Sequence, residues 1–387
     1  MNRSSLSGFP SLICSGVLVA VLLSVGTVQV LAAPWTESVM PSGDLRYRFE
    51  YIDEEGADSR YRERIRARIG LTAAVGGDLD LVFRLASGGD DPVSTNQTLD
   101  GGFSTKEIWL DLVYIDWHPG CFRGFHLFGG KMRNPFRTPG KTELVWDGDL
   151  TLEGLAASFG RDLGKVSILA SGGGFWVEER SQDDDSRLLG AQGGLEFELP
   201  LGDGEAFSDA VLVVGGSYYQ FTEAEHFPTF YDASDEFGNS VVVQGANTIY
   251  TQDYEELEPF AELKFKIQGV PVALHGDYVM NLGVDDANDE DYGWLAGASI
   301  GTTNKRGDWK LYGDYRELMR DAVIGAYTDS DFGGGGTNSK GFELGFGYQI
   351  GKNVTAGATY FVNELGIGSD DQSRHYQRVQ VDLQTKF

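Results

Sequence analysis

Cysteine is nearly absent. The 387 residues hold two, Cys14 and Cys121, together with only 11 prolines, five histidines, and 31 basic side chains against 58 acidic ones. Cys14 falls in the N-terminal leader described below, so an exported chain keeps one thiol and no internal disulfide is expected. The formal charge of -27 disfavours a nucleic-acid partner, because a phosphate backbone is repelled at long range. After the leader no long apolar run returns, so no further segment has the composition of a membrane-crossing helix. Disorder is disfavoured as well: 53 glycines accompany 12% aromatic residues, a mix that suits a sheet with many turns.

The leader, residues 1–32, reads as a cleaved secretory signal. Arg3 supplies a sparse positive region and Leu12 to Val30 the apolar stretch. In "VQVLAAPW", Val30 and Ala32 occupy the small-residue positions of a cleavage site, which makes Ala33 the first mature residue. Ser15, Gly16, Ser24, Gly26, Thr27 and Gln29 dilute the stretch below what a retained anchor needs. Residues 33–387 then form one domain.

What fills that domain is one repeated pattern, short segments alternating apolar and polar residues. Alternation at period two is the mark of a strand with two unlike faces. In "RVQVDLQTKF", Val379, Val381, Leu383, Thr385 and Phe387 share one face; in "GDLRYRFEY", Leu45, Tyr47, Phe49 and Tyr51 oppose Asp44, Arg46, Arg48 and Glu50. "KGFELGFGYQI" sets Phe342, Leu344, Phe346, Tyr348 and Ile350 on one side.

The pattern predicts sixteen strands, beginning near residues 43, 60, 79, 105, 125, 153, 165, 187, 210, 257, 271, 292, 309, 340, 354 and 376. Short glycine-bearing turns alternate with longer polar loops near 53–59, 88–104, 133–152, 178–186, 223–256, 282–291, 319–339 and 364–375. A soluble sandwich or propeller accounts for many short strands but not for two unequal loop classes. The expected fold is all-β: a transmembrane antiparallel barrel of about 16 strands with short periplasmic turns and long extracellular loops.

A barrel gives meaning to "RYRERIRARIGL" at 60–71, where Arg62, Arg64, Arg66 and Arg68 alternate with Ile65, Ala67, Ile69 and Leu71. An arginine facing lipid costs roughly 2–4 kcal/mol at mid-membrane, so four cost on the order of 10 kcal/mol, comparable to the stability of a whole domain. The row must therefore face inward. A hairpin centred on 53–59 sets Arg48 beside Arg64 and Arg46 beside Arg66, while Arg84 and Arg378 extend the wall once the last strand closes on the first. Arginine cannot shed its proton to relieve the crowding, so carboxylates or anions must compensate. Neutralising Arg64 and Arg66 together is then expected to leave the fold intact and to hold or slightly raise stability.

"FRLASGGDDPVSTNQTL", "GGKMRNPF" followed by "ELVWDGDL", and the hairpin "RYRFEYIDEEG…RYRERIRARIGL" resemble the characteristic runs of the putative-porin family of Gram-negative outer membranes. The resemblance implies a multi-pass barrel in the cell outer membrane. Its function would be that of a porin, a water-filled channel for passive diffusion of small hydrophilic solutes and ions. It further implies that loop 133–152, which also carries Arg137 and Lys141, folds inward as a constriction and sets the acids Glu143, Asp147, Asp149 and Glu153 opposite the basic wall. Phosphate-selective porins also carry arginine ladders, but their lysine-rich funnel has no counterpart here. The terminal Phe387 resembles the signal read by the barrel-assembly machinery. Lipids, lipopolysaccharide and a homotrimer are the other expected partners; small Ala191, Gly193, Ala296 and Ala298 suit close barrel packing.

No catalytic residue, cofactor or metal is expected. His275 and Asp277 share a parity in "VALHGDYVM", as a catalytic pair would, yet no serine or metal partner is near in sequence. "VDDANDEDYG" and "QDDDS" lack the ordered spacing and glycine of a calcium loop and read as solvated tips. "GGGGT" at 333–337 reads as a flexible loop. The readings from other classes are a barrel hydrolase acting on lipid or peptide, and a structural or adhesive surface barrel.

Overall fold

The computed structural model describes residues 38–200, 207–284, 289–369 and 371–387. The leader, most of the turn at 200–206 and the centre of the "VDDANDEDYG" loop lie outside these residues.

Sixteen long strands make one closed antiparallel barrel. They are β1 Val39–Glu54, β2 Arg60–Ala74, β3 Leu79–Ser87, β4 Ile108–Trp117, β5 Phe125–Arg133, β6 Thr151–Asp162, β7 Val166–Glu178 and β8 Ser186–Leu199. The second half holds β9 Phe207–Phe221, β10 Tyr254–Ile267, β11 Val270–Asn281, β12 Tyr292–Gly301, β13 Trp309–Leu318, β14 Ser339–Gln349, β15 Val354–Leu365 and β16 Arg374–Lys386. Each strand pairs with its neighbours in sequence, and β16 pairs with β1 from Lys386 opposite Asp44 to Tyr376 opposite Glu54. Closure removes both sheet edges, so no strand leaves unpaired backbone groups facing hydrocarbon. At the seam Phe387 N–H donates to Gly43 O and Gly43 N–H to Phe387 O, both at 3.0 Å.

The exposed face is apolar, as a lipid solvent requires. Leu45, Ile69, Leu71, Phe342, Leu344, Phe346, Val381 and Leu383 are all exposed, and they are the residues that the alternation assigned to one side. Ala191, Gly193, Ala296 and Ala298 also lie on exposed positions.

A second apolar region lies where loops enter the barrel. Loop 134–150 contributes Phe136, Leu144, Val145 and Trp146; loop 222–253 contributes Phe230 and Tyr250; loop 319–338 contributes Val323, Ile324 and Ala326. They pack against wall residues Phe175, Tyr219, Phe221 and Tyr254. Trp146 meets Tyr219 edge-on at 4.9 Å between ring centres, an arrangement that favours aromatic pairs beyond simple burial. The expectation of polar loops is thus corrected for these three. Loop 222–253 also carries its own hairpin, Val241–Gln244 against Asn247–Tyr250, which the sequence reading treated as loop.

Candidate functional site

The first hairpin has the expected register. Arg46 stands opposite Arg66 and Arg48 opposite Arg64. Like charges placed so would destabilise the ladder unless compensated, and the compensation is dense. Asp44 accepts from Arg66 at 3.1 Å and from Arg68 at 2.7 Å. Glu50, fully buried, bonds Arg62, lies 3.5 Å from Arg48 and 3.7 Å from Arg64, and accepts from Arg378 at 2.7 Å. Asp382 grips Arg48 with both oxygens, at 2.7 and 2.8 Å. Arg84 bonds Asp111 of β4. The alternation in "GDLRYRFEY" already placed Asp44 and Glu50 on the arginine face; Asp111 comes from the neighbouring strand β4, and Asp382 reaches Arg48 through barrel closure.

Two loops reach this wall. Asp149 of loop 134–150 lies 3.1 Å from Arg68 and 3.6 Å from Arg66, and accepts from Thr95 Oγ1 at 2.9 Å. Burial alone would raise its pKa, but Arg66 and Arg68 outweigh burial and hold the carboxyl below its ordinary value. Asp331 of loop 319–338 lies 2.9 Å from Arg48 and 2.7 Å from Arg378. Sequence gave no signal for Asp331, since its partners stand on other strands.

Among the described residues, eight guanidiniums (Arg46, Arg48, Arg62, Arg64, Arg66, Arg68, Arg84, Arg378) therefore share six carboxylates (Asp44, Glu50, Asp111, Asp149, Asp331, Asp382) within ion-pair distance. The least compensated are Arg46, 4.0 Å from Asp382, and Arg64, 3.7 Å from Glu50. Each also keeps a buried Nε–H without a hydrogen-bond partner.

The remaining loop residues divide differently from expectation. Glu143 and Asp147 do not meet the arginine wall. With Asp329 they form a carboxylate trio whose oxygens lie within 4.8 Å of one another. Arg316, almost fully buried, lies 3.3 Å from Asp329 and donates to Glu143 O at 3.2 Å. Burial, reinforced by mutual repulsion with neighbouring acids, pushes the Glu143 and Asp147 pKa values well up. Of the three carboxylates, the guanidinium compensates Asp329. Arg137 bonds Glu262 of β10 at 2.8 Å. Lys141 lines a polar cavity of about 360 Å³ with His275, Lys310, Asp314 and Glu343. Glu153 is on β6, exposed, and pairs with Lys131 at 2.8 Å instead of facing the arginines, because its parity puts it with the outward Leu155.

A second polar cavity, about 680 Å³, is lined by Arg62, Arg64, Asp91, Arg320, Arg374 and the glycines 333–336. Thr328 and Ser330 face this cavity and Asp329 the smaller one, so loop 319–338 runs between them. Gly333, Gly334, Gly335 and Gly336 all have positive φ, from 63° to 107°; side chains rarely adopt this conformation in succession. Within this turn Gly333 and Gly336 are buried and Gly334 and Gly335 exposed. His275 and Asp277 do not form a pair: both ring nitrogens of His275 and Oδ1 of Asp277 lack hydrogen-bond partners.

The sequence matches the family described as "Putative porin" over residues 51–236 and 249–387. No curated protein sequence matches the chain. Among solved structures, OprB of Pseudomonas putida is similar at 8% identity and a TM-score of 0.57, with 91% of this chain and 95% of that one covered. OmpF of Salmonella typhi is similar at 11% identity and a TM-score of 0.54, with 92% and 99% covered. At these identities the likeness is one of fold.

Proposed function

The chain belongs to the putative-porin family and is an outer-membrane β-barrel, and from that premise we propose that it forms a water-filled channel for passive diffusion of small hydrophilic solutes and ions. The observation that supports this reading is the polar, ion-paired lining inside a closed barrel. Guanidiniums gather with their carboxylates on β1–β3 and β16, while Glu143, Asp329, Glu343 and Asp314 line a separate polar cavity around Arg316.

A polar solute entering such an interior meets fixed charges and hydrogen-bonding groups that lower the cost of leaving bulk water, whereas an apolar solute gains nothing from them. Arg64, which lines the larger cavity and lies 3.7 Å from its nearest carboxylate, is the position where a passing anionic group would meet a weakly compensated guanidinium. Loop 134–150 acts as the constriction and loop 319–338 as a second partition. No catalytic step is assigned: His275 and Asp277 are not engaged with each other. The mature chain begins at Ala33, is delivered through Phe387 to the assembly machinery, and packs as a homotrimer through its small outward residues amid lipid and lipopolysaccharide.

Single-channel recording of the purified chain in planar bilayers tests the reading. Stepwise, ohmic conductance is expected. Barrels that insert yet never conduct would point to the structural or adhesive alternative, and release of fatty acid or peptide would point to the hydrolase.

A further inference from the structure

Lys310, Tyr312, Asp314 and Arg316 occupy alternate positions of β13 and face inward, since Leu311 between them is exposed on the lipid side. Glu343 joins them from β14, directly opposite Asp314 and flanked by the exposed Phe342 and Leu344. Lys141 enters from loop 134–150. Its place is set by Gly140, which seats on the His275 ring so closely that a Cβ there would lie 2.5 Å from Cγ, and whose N–H donates to Glu262 Oε1 at 3.3 Å.

These residues line the cavity of about 360 Å³, and their charges are not cancelled pair by pair. Arg316 pairs with Asp329 at 3.3 Å. Among the described residues, the charged atoms of Lys141, Lys310, Asp314 and Glu343 have no opposite charge within 4.0 Å and no hydrogen bond. Unlike Arg316 Nε, which is sealed from solvent, Nζ of Lys310 and the carboxylate oxygens of Asp314 and Glu343 open into the cavity.

The two signs also stand apart. Antiparallel strand residues rise about 3.4 Å each, which sets the Lys310 and Asp314 backbones about 14 Å apart along β13. Tyr312 lies between them and is held to the wall. Its ring packs on Gly345, where any side chain would collide with it, and its hydroxyl lies 3.1 Å from Thr359 Oγ1. Lys310 Nζ is 5.1 Å from the centre of that ring, within cation–π reach. Charges drawn away from bulk water without a partner are costly, so a solute that answers both signs at once is favoured in this space.

Resting on the channel reading, we propose that this cavity is a permeation subsite for small zwitterions of the amino-acid class, with Lys310 and Lys141 receiving the carboxylate and Asp314 and Glu343 the ammonium group. A simple anion leaves the two acids unmet, and a simple cation leaves the two lysines unmet. The volume stands at the lower end of the range of about 300–1,000 Å³ for ligand pockets, which suits a single amino acid better than an oligosaccharide. Charge-assisted hydrogen bonds at both ends draw the solute in. Lysine is a flexible point charge without the planar fork of arginine, so the hold is loose enough for release, as conduction requires.

The test is swelling of liposomes carrying the full mature chain, in isotonic serine and in isotonic erythritol, an uncharged solute of similar size. The ratio of the two rates is read because pore number and pore width cancel in it. Wild type should pass serine at least about threefold faster than erythritol. K310Q/E343Q removes one pole of each sign without altering net charge and should bring the ratio to about one. A wild-type ratio of one or below overturns the proposal and needs no variant to fold. A ratio left unchanged in K310Q/E343Q, shown to be folded by its band on a semi-native gel, overturns it equally. Swelling in neither solute overturns the channel reading and this inference with it, whereas swelling without preference overturns this inference alone.

Discussion

Arg48 Nη1 donates to Asp331 Oδ2 at 2.9 Å, across 283 positions of sequence. The bond ties the partition loop to the first strand, and it tests whether that loop is held by charge. In D331N, Arg48 keeps Asp382 and Arg378 keeps Glu50, so the wall survives while the loop loses its anchor. Because Asp331 retains some solvent contact, with 24% of its side chain exposed, the loss should be about 2 kcal/mol rather than the larger cost of breaking a fully buried pair. The check is the temperature at which the folded band is lost on a semi-native gel, together with noisier open-channel current.

Acid and base should act on opposite groups. For Asp331 burial works to raise the pKa, but the Arg378 and Arg48 charges prevail and hold it well below the ordinary carboxylate range. Its contribution is therefore intact above about pH 4 and is lost only as pH falls further. For Glu143 and Asp147 the folded pKa values are raised, burial first and neighbouring acids second. Their protonated forms favour the folded loop, so stability should decline as pH rises above about 4 toward neutrality. Thermal melts of wild type and E143Q between pH 4 and 8 should show a downward slope that is flatter in the variant. Parallel slopes would place the titration elsewhere.

The two central arginines should separate. The sequence alone suggests that R64Q and R66Q together relieve repulsion at no cost. The structure changes that expectation for Arg66, which is buried and bridges Asp44 and Asp149; R66Q should cost about 3 kcal/mol. Arg64 has only its 3.7 Å approach to Glu50 and a 3.3 Å bond to Ser94. R64Q should therefore leave stability within about 1 kcal/mol and shift the reversal potential in a salt gradient toward cations. At 1 M salt, where the Debye length is about 3 Å, the shift should shrink.

Deleting Phe387 removes one N–H donor and one acceptor that the seam uses at Gly43. Outer-membrane yield should fall and periplasmic aggregate rise, measured by fractionation. Unchanged yield would show that the seam closes without its last residue.

W146A opens a cavity in the loop cluster, where Trp146 is 2% exposed and packs on Tyr219 and Phe221. The expected loss is about 3–5 kcal/mol. If loop 134–150 constricts the path, conductance should rise while the strands stay protected from hydrogen exchange.

Strand positions, strand parity and the first-hairpin register were legible because each is encoded locally: a period of two, a turn signal, and the prohibitive cost of arginine in lipid. Asp44 and Glu50 could be read as compensating charges for the same reason. Asp331, Asp382 and Arg316 could not, since their roles depend on which distant strand or loop the closed barrel brings alongside. The apolar loop cluster was missed on different grounds. Leu144, Val145, Trp146, Val323 and Ile324 stand in segments without periodicity, so nothing local distinguishes residues that bury against one another from residues spaced along a solvated loop. The turn geometry of Gly333–Gly336 has no signature in sequence beyond glycine itself.

The loop cluster makes this barrel an uneven host for foreign sequence. A peptide inserted at 55–59 or 179–185 would extend into solvent and leave the interior as it is, whereas the same peptide in 134–150, 222–253 or 319–338 would have to be accommodated within a packed interior. As a surface-display scaffold the protein thus offers its shortest outer connections, not its longest ones, as the sites for grafting.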